Sequence, residues 1–260
     1  MTKIYAVANQ KGGVGKTTTS INLGAALANK GKKTLLIDFD PQGNATTGLG
    51  VDDTKVSKTI YDVIVNDEPL ENTIYPSNTE NLFIIPSTSE LSSAEIEIGN
   101  DPASVFRLSK AFVNDKFKHA KFDVVLIDCP PSLNILTLNA FVACRGIVVP
   151  LQAEFFALEG LSKLILTIRE VREKLNDNLH IASVVLTMFD KRNSLSKQVE
   201  SDARKHLGDM VMRTIIPRTV RLSEATSHGL TIMDYDKTSL GTLAYNELGK
   251  EFIEKFFEKR

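Results

Sequence analysis

Residues 4–18 read Ile4-Tyr5-Ala6-Val7-Ala8-Asn9-Gln10-Lys11-Gly12-Gly13-Val14-Gly15-Lys16-Thr17-Thr18. An apolar run, Ile4–Ala8, gives way to a glycine-rich loop, and a helical pattern opens at Thr17 and continues to Lys30. Strand, loop and helix in that order form the setting in which a glycine-rich loop cradles phosphate. The glycines let the backbone turn tightly and bring N–H groups against phosphate oxygens. The helix that follows points its positive end at the same oxygens. Lys16 offers a compact cation for the β- and γ-phosphates of a nucleotide, and Thr17 a hydroxyl for Mg²⁺. Gly12, Gly13, Val14, Gly15 and Thr18 complete the candidate nucleotide-binding set. In the ordinary GxxxxGK[ST] pattern the first position is glycine; here it is Gln10, and a second lysine, Lys11, stands at the start of the loop.

Further apolar runs predict strands at Thr34–Asp38, Leu82–Pro86, Val124–Asp128, Ile147–Pro150 and Ile181–Thr187. Most are continuous rather than alternating, as expected of parallel strands buried on both faces. Helical patterns fill Thr17–Lys30, Val105–Phe117, Leu133–Cys144 and Leu158–Leu175, and Gly31 is placed to cap the first of them. The alternation predicts a doubly wound α/β fold, a mostly parallel sheet flanked by helices. No repeat or long linker divides the chain, so residues 1–260 are expected to form a single domain.

Two predicted strands end in carboxylates. In such sheets the C-terminal strand ends face the ligand crevice. Asp38 and Asp40 follow the second strand two residues apart, which puts both on one side of an extended chain. They suit a Mg²⁺-bound water and an attacking water. Asp128 closes Val124–Asp128 and is the candidate for the Mg²⁺ water shell. The alternative for all three is a plain turn-forming acid at a strand end.

The chain carries 31 Lys plus Arg and 32 Asp plus Glu, a net charge of −1, which neither announces nor excludes a nucleic-acid surface. Its two cysteines, Cys129 and Cys144, and four scattered histidines have no metal-ligand spacing. No apolar run approaches the roughly 18 residues of a membrane span. The expected location is the cytoplasm.

The loop pattern KGGxGKT is a deviant phosphate loop, and the chain resembles the ParA (Soj-like) partition ATPases. The resemblance rests on NQKGGVGKTTTSINLG at 9–24, LLIDFDPQGNATTGLG at 35–50, VVLIDCPPSL at 124–133, ALEGL at 157–161 and IPRTVRLSEATSHG at 216–229. It covers nearly the full length and extends to MinD-like and nitrogenase iron-protein-like ATPases. It implies a homodimer that holds ATP and Mg²⁺ between its subunits. Lys11 would reach the partner's phosphates, Lys16 would serve its own, and Asp40 would position the hydrolytic water. It further implies that the ATP-bound dimer associates with the nucleoid by binding double-stranded DNA without sequence preference, and that a ParB-type centromere-binding partner stimulates hydrolysis and release. Backbone around Pro217 would line the adenine, and Arg192 and Arg221 would contribute to DNA binding. Lys197, Arg204, Lys205 and Arg213 are candidates to widen that surface. Only ten residues precede Lys11, so an N-terminal helix-turn-helix domain is not expected.

Two alternatives are open. A MinD-like membrane-cycling cell-division regulator would use the amphipathic C-terminus, but residues 247–260 hold four Glu against three Lys and one Arg, where a membrane-surface helix wants a basic excess. No membrane partner is expected. An iron–sulfur reductase would need cysteines bridging a cluster between subunits, a context Cys129 and Cys144 lack.

Overall fold

The computed structural model describes residues 2–99, 101–154 and 157–258, and the side chains of all of these except residues 53, 115 and 157–159. Seven strands, β1 (Lys3–Val7), β2 (Thr34–Asp38), β3 (Tyr75–Pro76), β4 (Leu82–Ile85), β5 (Val124–Asp128), β6 (Gly146–Gln152) and β7 (His180–Thr187), form one sheet. Their order is β3-β4-β2-β5-β1-β6-β7. Every neighbouring pair is parallel except β3 with β4. The α-helices are α1 (Lys16–Asn29), α2 (Asn44–Gly48), α3 (Ile60–Val65), α4 (Ala94–Ile98), α5 (Arg107–Ala111), α6 (Asp115–His119), α7 (Ile135–Ala143), α8 (Ala157–Lys174), α9 (Ser194–Leu207), α10 (Val220–Ser227), α11 (Ile232–Tyr235) and α12 (Leu240–Phe256). The expected doubly wound parallel sheet flanked by helices is the architecture found.

Alternate residues of each strand feed opposite cores, as the period of two requires. Leu35, Ile37, Val125 and Ile127 join one core with Phe141 of α7 and Leu164 of α8. Leu36, Val124 and Leu126 join the other with Leu23 and Leu27 of α1, Tyr245 and Phe252 of α12. α12 lies so close against α1 that a Cβ on Gly249 would sit 2.7 Å from Ala26 Cβ. Phe252 also meets the Tyr5 ring edge-on at 5.1 Å. At the end of α1, Gly31 N–H donates to Ala28 O and Lys32 N–H to Leu27 O, the paired bonds of a Schellman cap.

The register aligns the strand ends that matter. Val7 of β1 and Asp38 of β2 both pair with Asp128 of β5, so the phosphate-loop mouth and two acidic strand ends lie on one level.

The helix expected over Val105–Phe117 is broken. A 3₁₀ turn at Ser104–Phe106 leads into α5, and the chain restarts at α6, whose cap Asn114 accepts from Lys116 N–H. Asn139 of α7 explains the first irregularity: its side chain accepts from Leu108 N–H and donates to Ser104 O, taking backbone groups a continuous helix would use. The two-residue strand β3 is an addition to the expected set.

Candidate functional site

After β1 the chain is pinned before it turns. Asn9 Oδ1 accepts from Lys11 N–H at 3.0 Å, and its Nδ2 donates to Pro150 O in β6 at 2.8 Å. On the far side, Thr187 at the end of β7 donates to Val14 O at 2.8 Å. Gly13 and Gly15 take φ of 72° and 86°, left-handed backbone that a side chain would strain. Gly15 precedes α1, and no side chain caps that helix. Its first N–H groups therefore face the loop's concavity, where an anion would complement them.

Lys16 opens α1 and is buried, with 7% of its surface exposed. Its Nζ donates to Lys11 O at 3.3 Å, so the ammonium folds back into the loop. Burial lowers its pKa, while Asp128 and Asp40 pull in the opposite direction. Asp128 is fully buried; Ser20, one turn into α1, donates to its Oδ1 at 2.8 Å. Its other oxygen, Oδ2, is buried with no hydrogen-bond partner among the described residues. Burial, reinforced by neighbouring Asp38, pushes the carboxyl up to about 7 against the pull of the Thr17 and Ser20 hydroxyls and of Lys16.

Asp38 is also fully buried, but both oxygens are engaged. Oδ2 accepts from Thr46 N–H and Oγ1, each at 2.7 Å, and Oδ1 accepts from Asp40 N–H at 3.3 Å. Burial still raises its pKa to about 6. Asp40 is buried as well, and its Oδ1 accepts from Gln42 N–H at 3.0 Å. The structure thus brings Lys16, Thr17, Asp38, Asp40 and Asp128 together. Among the described residues no cluster of three His, Cys, Asp or Glu could hold a metal by itself. A cation here would depend on phosphate oxygens and the Thr17 hydroxyl, which is how Mg²⁺ is normally held beside a nucleotide. The orphaned Asp128 oxygen, on a carboxyl with Asp38, Lys16 and the Thr17 hydroxyl for neighbours, fits that demand.

Beside the loop, Gly15, Thr18, Met188, Pro217, Val220 and Tyr245 line a cleft of about 340 Å³. Pro217 is brought there by a bridge to Phe189 just beyond β7. The hydroxyls of Tyr245 and Thr19 lie 3.2 Å apart at its floor. Lys11 sits apart from this group, on the outer rim. Its Nζ lies 3.3 Å from Glu154 Oε2, at the end of the segment following β6.

Comparison with known proteins fits this geometry. A family model described as an AAA domain matches residues 2–181. The chain is 49% identical over 253 residues to the chromosome partitioning protein ParA of Caulobacter vibrioides, covering 97% of this chain and 94% of the relative. It is 49% identical over 251 residues to the sporulation initiation inhibitor protein Soj of Bacillus subtilis, covering 96% and 98%. The chain belongs to the ParA/Soj family of partition ATPases. Among solved structures, that of a cobyrinic acid a,c-diamide synthase from Mycobacterium smegmatis, with bound ADP and magnesium, matches with a TM-score of 0.84 at 33% identity. That match covers 100% of this chain and 98% of the other.

Within this ParA/Soj chain the two candidate DNA-contacting arginines lie on the surface beyond the cleft, and each has intramolecular carboxylate partners. Arg192 makes a two-pronged pair with Asp190, at 3.1 and 3.0 Å, and remains 90% exposed. Arg221 pairs with Glu224 at 2.9 Å and lies 3.8 Å from Asp236. Two of the accessory basic residues are tied into the fold. Arg204 bonds Glu200 and the carbonyls of Met212 and Arg213, and Arg213 bonds Glu251 and Glu254. Cys129 and Cys144 are buried, and burial raises both thiols, Cys144 to about 12, so neither presents a surface ligand.

Proposed function

We propose that this chain is a nucleotide-switched partition ATPase. It binds ATP in the loop at 9–18, pairs with a second copy around the nucleotide, binds duplex DNA without sequence preference in that form, and is released when a ParB-type partner stimulates hydrolysis. The observation that carries the reading is the buried Lys16 ammonium held over the loop beside Asp40 and Asp128, with one Asp128 oxygen left unpartnered. An uncompensated arrangement of that kind is suited to a polyphosphate and its counter-ion.

In this reading Lys16 and the N–H groups of Gly13, Val14, Gly15, Thr17 and Thr18 hold the phosphates, and the cleft at Pro217 takes the base. Thr17 would ligate Mg²⁺, with Asp128 and Asp38 behind it. Bound there, the cation would neutralise charge on the transferring phosphoryl group. Asp38 acts through Thr46 and the Asp40 backbone, since its own oxygens are engaged. Asp40 orients the attacking water. Lys11 adds a cation to the transferring group from across the dimer, as an arginine finger does, which makes hydrolysis conditional on pairing. Among the described residues a Cβ at Gly12 would meet nothing within 4 Å, which suits the approach of a second copy beside Lys11. Arg192 and Arg221 exchange exposed carboxylates for DNA phosphates, a change of small energetic cost.

The docked face of α12 speaks against membrane cycling. Leu248 and Phe252 are fully buried in the protein's own core, so that apolar stripe is already used. The test is Mg²⁺-dependent ATP hydrolysis with and without DNA and a ParB-type protein. The reading predicts slow basal turnover and stimulation when both are present. Hydrolysis indifferent to both, or ATP-dependent sedimentation with liposomes in place of DNA binding, would overturn it.

A further inference from the structure

Lys11 is the residue on which the proposed dimer depends, and the chain gives it a partner of its own. Strands β1 and β6 are neighbours, so the loops that follow them lie side by side. Glu154, just after β6, presents a carboxylate whose two oxygens are used differently. Oε1 is gripped by Gln152 Nε2 at 2.6 Å and approached by Arg218 at 3.4 Å. Oε2 faces Lys11 Nζ at 3.3 Å. Gln152 is itself buried at the strand end, and the Lys11 backbone is fixed by Asn9, so both halves of the pair are preset. The pair is half-exposed, with side-chain exposures of 37% and 45%.

We propose that Glu154 is the positioning residue of Lys11: it holds the lysine against its own subunit, and dimerisation must exchange this ion pair for the partner's phosphates. The inference rests on the cross-subunit reading of Lys11 above. The ammonium turned toward Glu154 of its own subunit must swing away to reach phosphates across the interface, so every dimer formed breaks two such pairs. A pair of this exposure shifts an equilibrium by about 1.4- to fivefold. Two pairs therefore oppose dimerisation by roughly two- to thirtyfold. Glu154 thereby sets the protein concentration at which the switch closes. Because Arg218 shares the same carboxylate, its pull on Oε1 also orients the face that Lys11 meets.

The test is the dimer dissociation constant in Mg·ATP, from sedimentation over a wide dilution series. All proteins carry Asp40→Ala to suppress hydrolysis. With Lys11 present, Glu154→Gln is expected to tighten the dimer by about two- to thirtyfold. Glu154→Asp, which keeps the charge, returns toward the parent value. The tightening fades with rising salt, because the pair it removes is screened. It is absent in a Lys11→Ala background. A melting curve confirms that each variant is folded. Unchanged or weaker dimerisation by Glu154→Gln, or equal tightening without Lys11, overturns the proposal. A Lys11→Ala protein that dimerises like the parent fails the underlying cross-subunit reading instead, a separate outcome visible in the same series.

Discussion

Replacing Lys16 with Ala removes the one buried cation of the site. In the nucleotide complex its ammonium would serve two phosphate groups, and a hydrogen bond to a charged group contributes about 1.5–3 kcal/mol. Two such bonds amount to about 3–6 kcal/mol, or a loss of roughly 10²–10⁴ in ATP affinity. The backbone cradle is untouched, because Gly13, Gly15, Asn9 and Thr187 fix the loop independently of Lys16. The fold should survive as well. The ammonium is itself penalised by burial, and the Asp128 carboxyl, already at about 7, takes up a proton once its cation is gone. Equilibrium titration with a slowly hydrolysed ATP analogue and Mg²⁺ measures the affinity, and a thermal melt checks the fold. An affinity within about tenfold of the parent, in a folded protein, would refute the assignment of Lys16 to the phosphates.

The proposed DNA surface is tested by salt dependence. Each phosphate contact contributes about 0.9 to the slope of log affinity against log salt, so Arg192→Ala or Arg221→Ala, at two copies per dimer, should lower the slope by about 1.8, equally on two unrelated duplexes. Retention of the parent slope and affinity by both variants would move the surface elsewhere. Glu251 tests how α12 is tied down. Burial opposes its charge, but bonds from Arg213 N–H, Thr214 N–H and Thr214 Oγ1 outweigh this and hold its pKa below the usual 4.5. A lowered folded pKa stabilises above the unfolded value and is lost as pH falls through the folded one. Glu251→Gln should therefore cost about 1 kcal/mol at pH 7, and the difference should shrink as pH drops below the carboxylate range. Denaturant melts at neutral and acid pH decide it, a pH-independent difference being the contrary result.

The central strands were legible because each is buried on both faces and so reads as an unbroken apolar run. β2 and β5 have the same bounds in sequence and structure, and β1 and β4 differ from expectation by a single residue at one or both ends. β3 was not legible: it is two residues long, contains Pro76 and exists only by pairing with β4. The irregular start of α5 escaped the apolar periodicity because Asn139, 31 positions from Leu108, supplies its cause. In the site, the loop residues and the strand-end acids carry spacing that chemistry explains, and the register sets the ends of β1, β2 and β5 on one level. Their helpers do not. Ser20 and Thr46 are ordinary polar residues until the fold sets them against Asp128 and Asp38. Ser20 alone left a trace, since it stands one turn from Lys16 on the same helix face. Glu154 left none, because its approach to Lys11 follows from the adjacency of β1 and β6, a property of strand order.

The oligomeric state in Mg·ATP tests the proposed switch most directly. In the proposed switch, Asp40→Ala keeps the loop and Lys16 and loses only the group that orients water, whereas Lys11→Ala keeps the nucleotide and loses the contact across the dimer. Sedimentation velocity at matched concentration, with nucleotide binding verified for each, separates them. A persistent dimer is expected for Asp40→Ala and an ATP-bound monomer for Lys11→Ala. A monomeric Asp40→Ala, or a Lys11→Ala that dimerises as the parent does, would contradict the proposed switch.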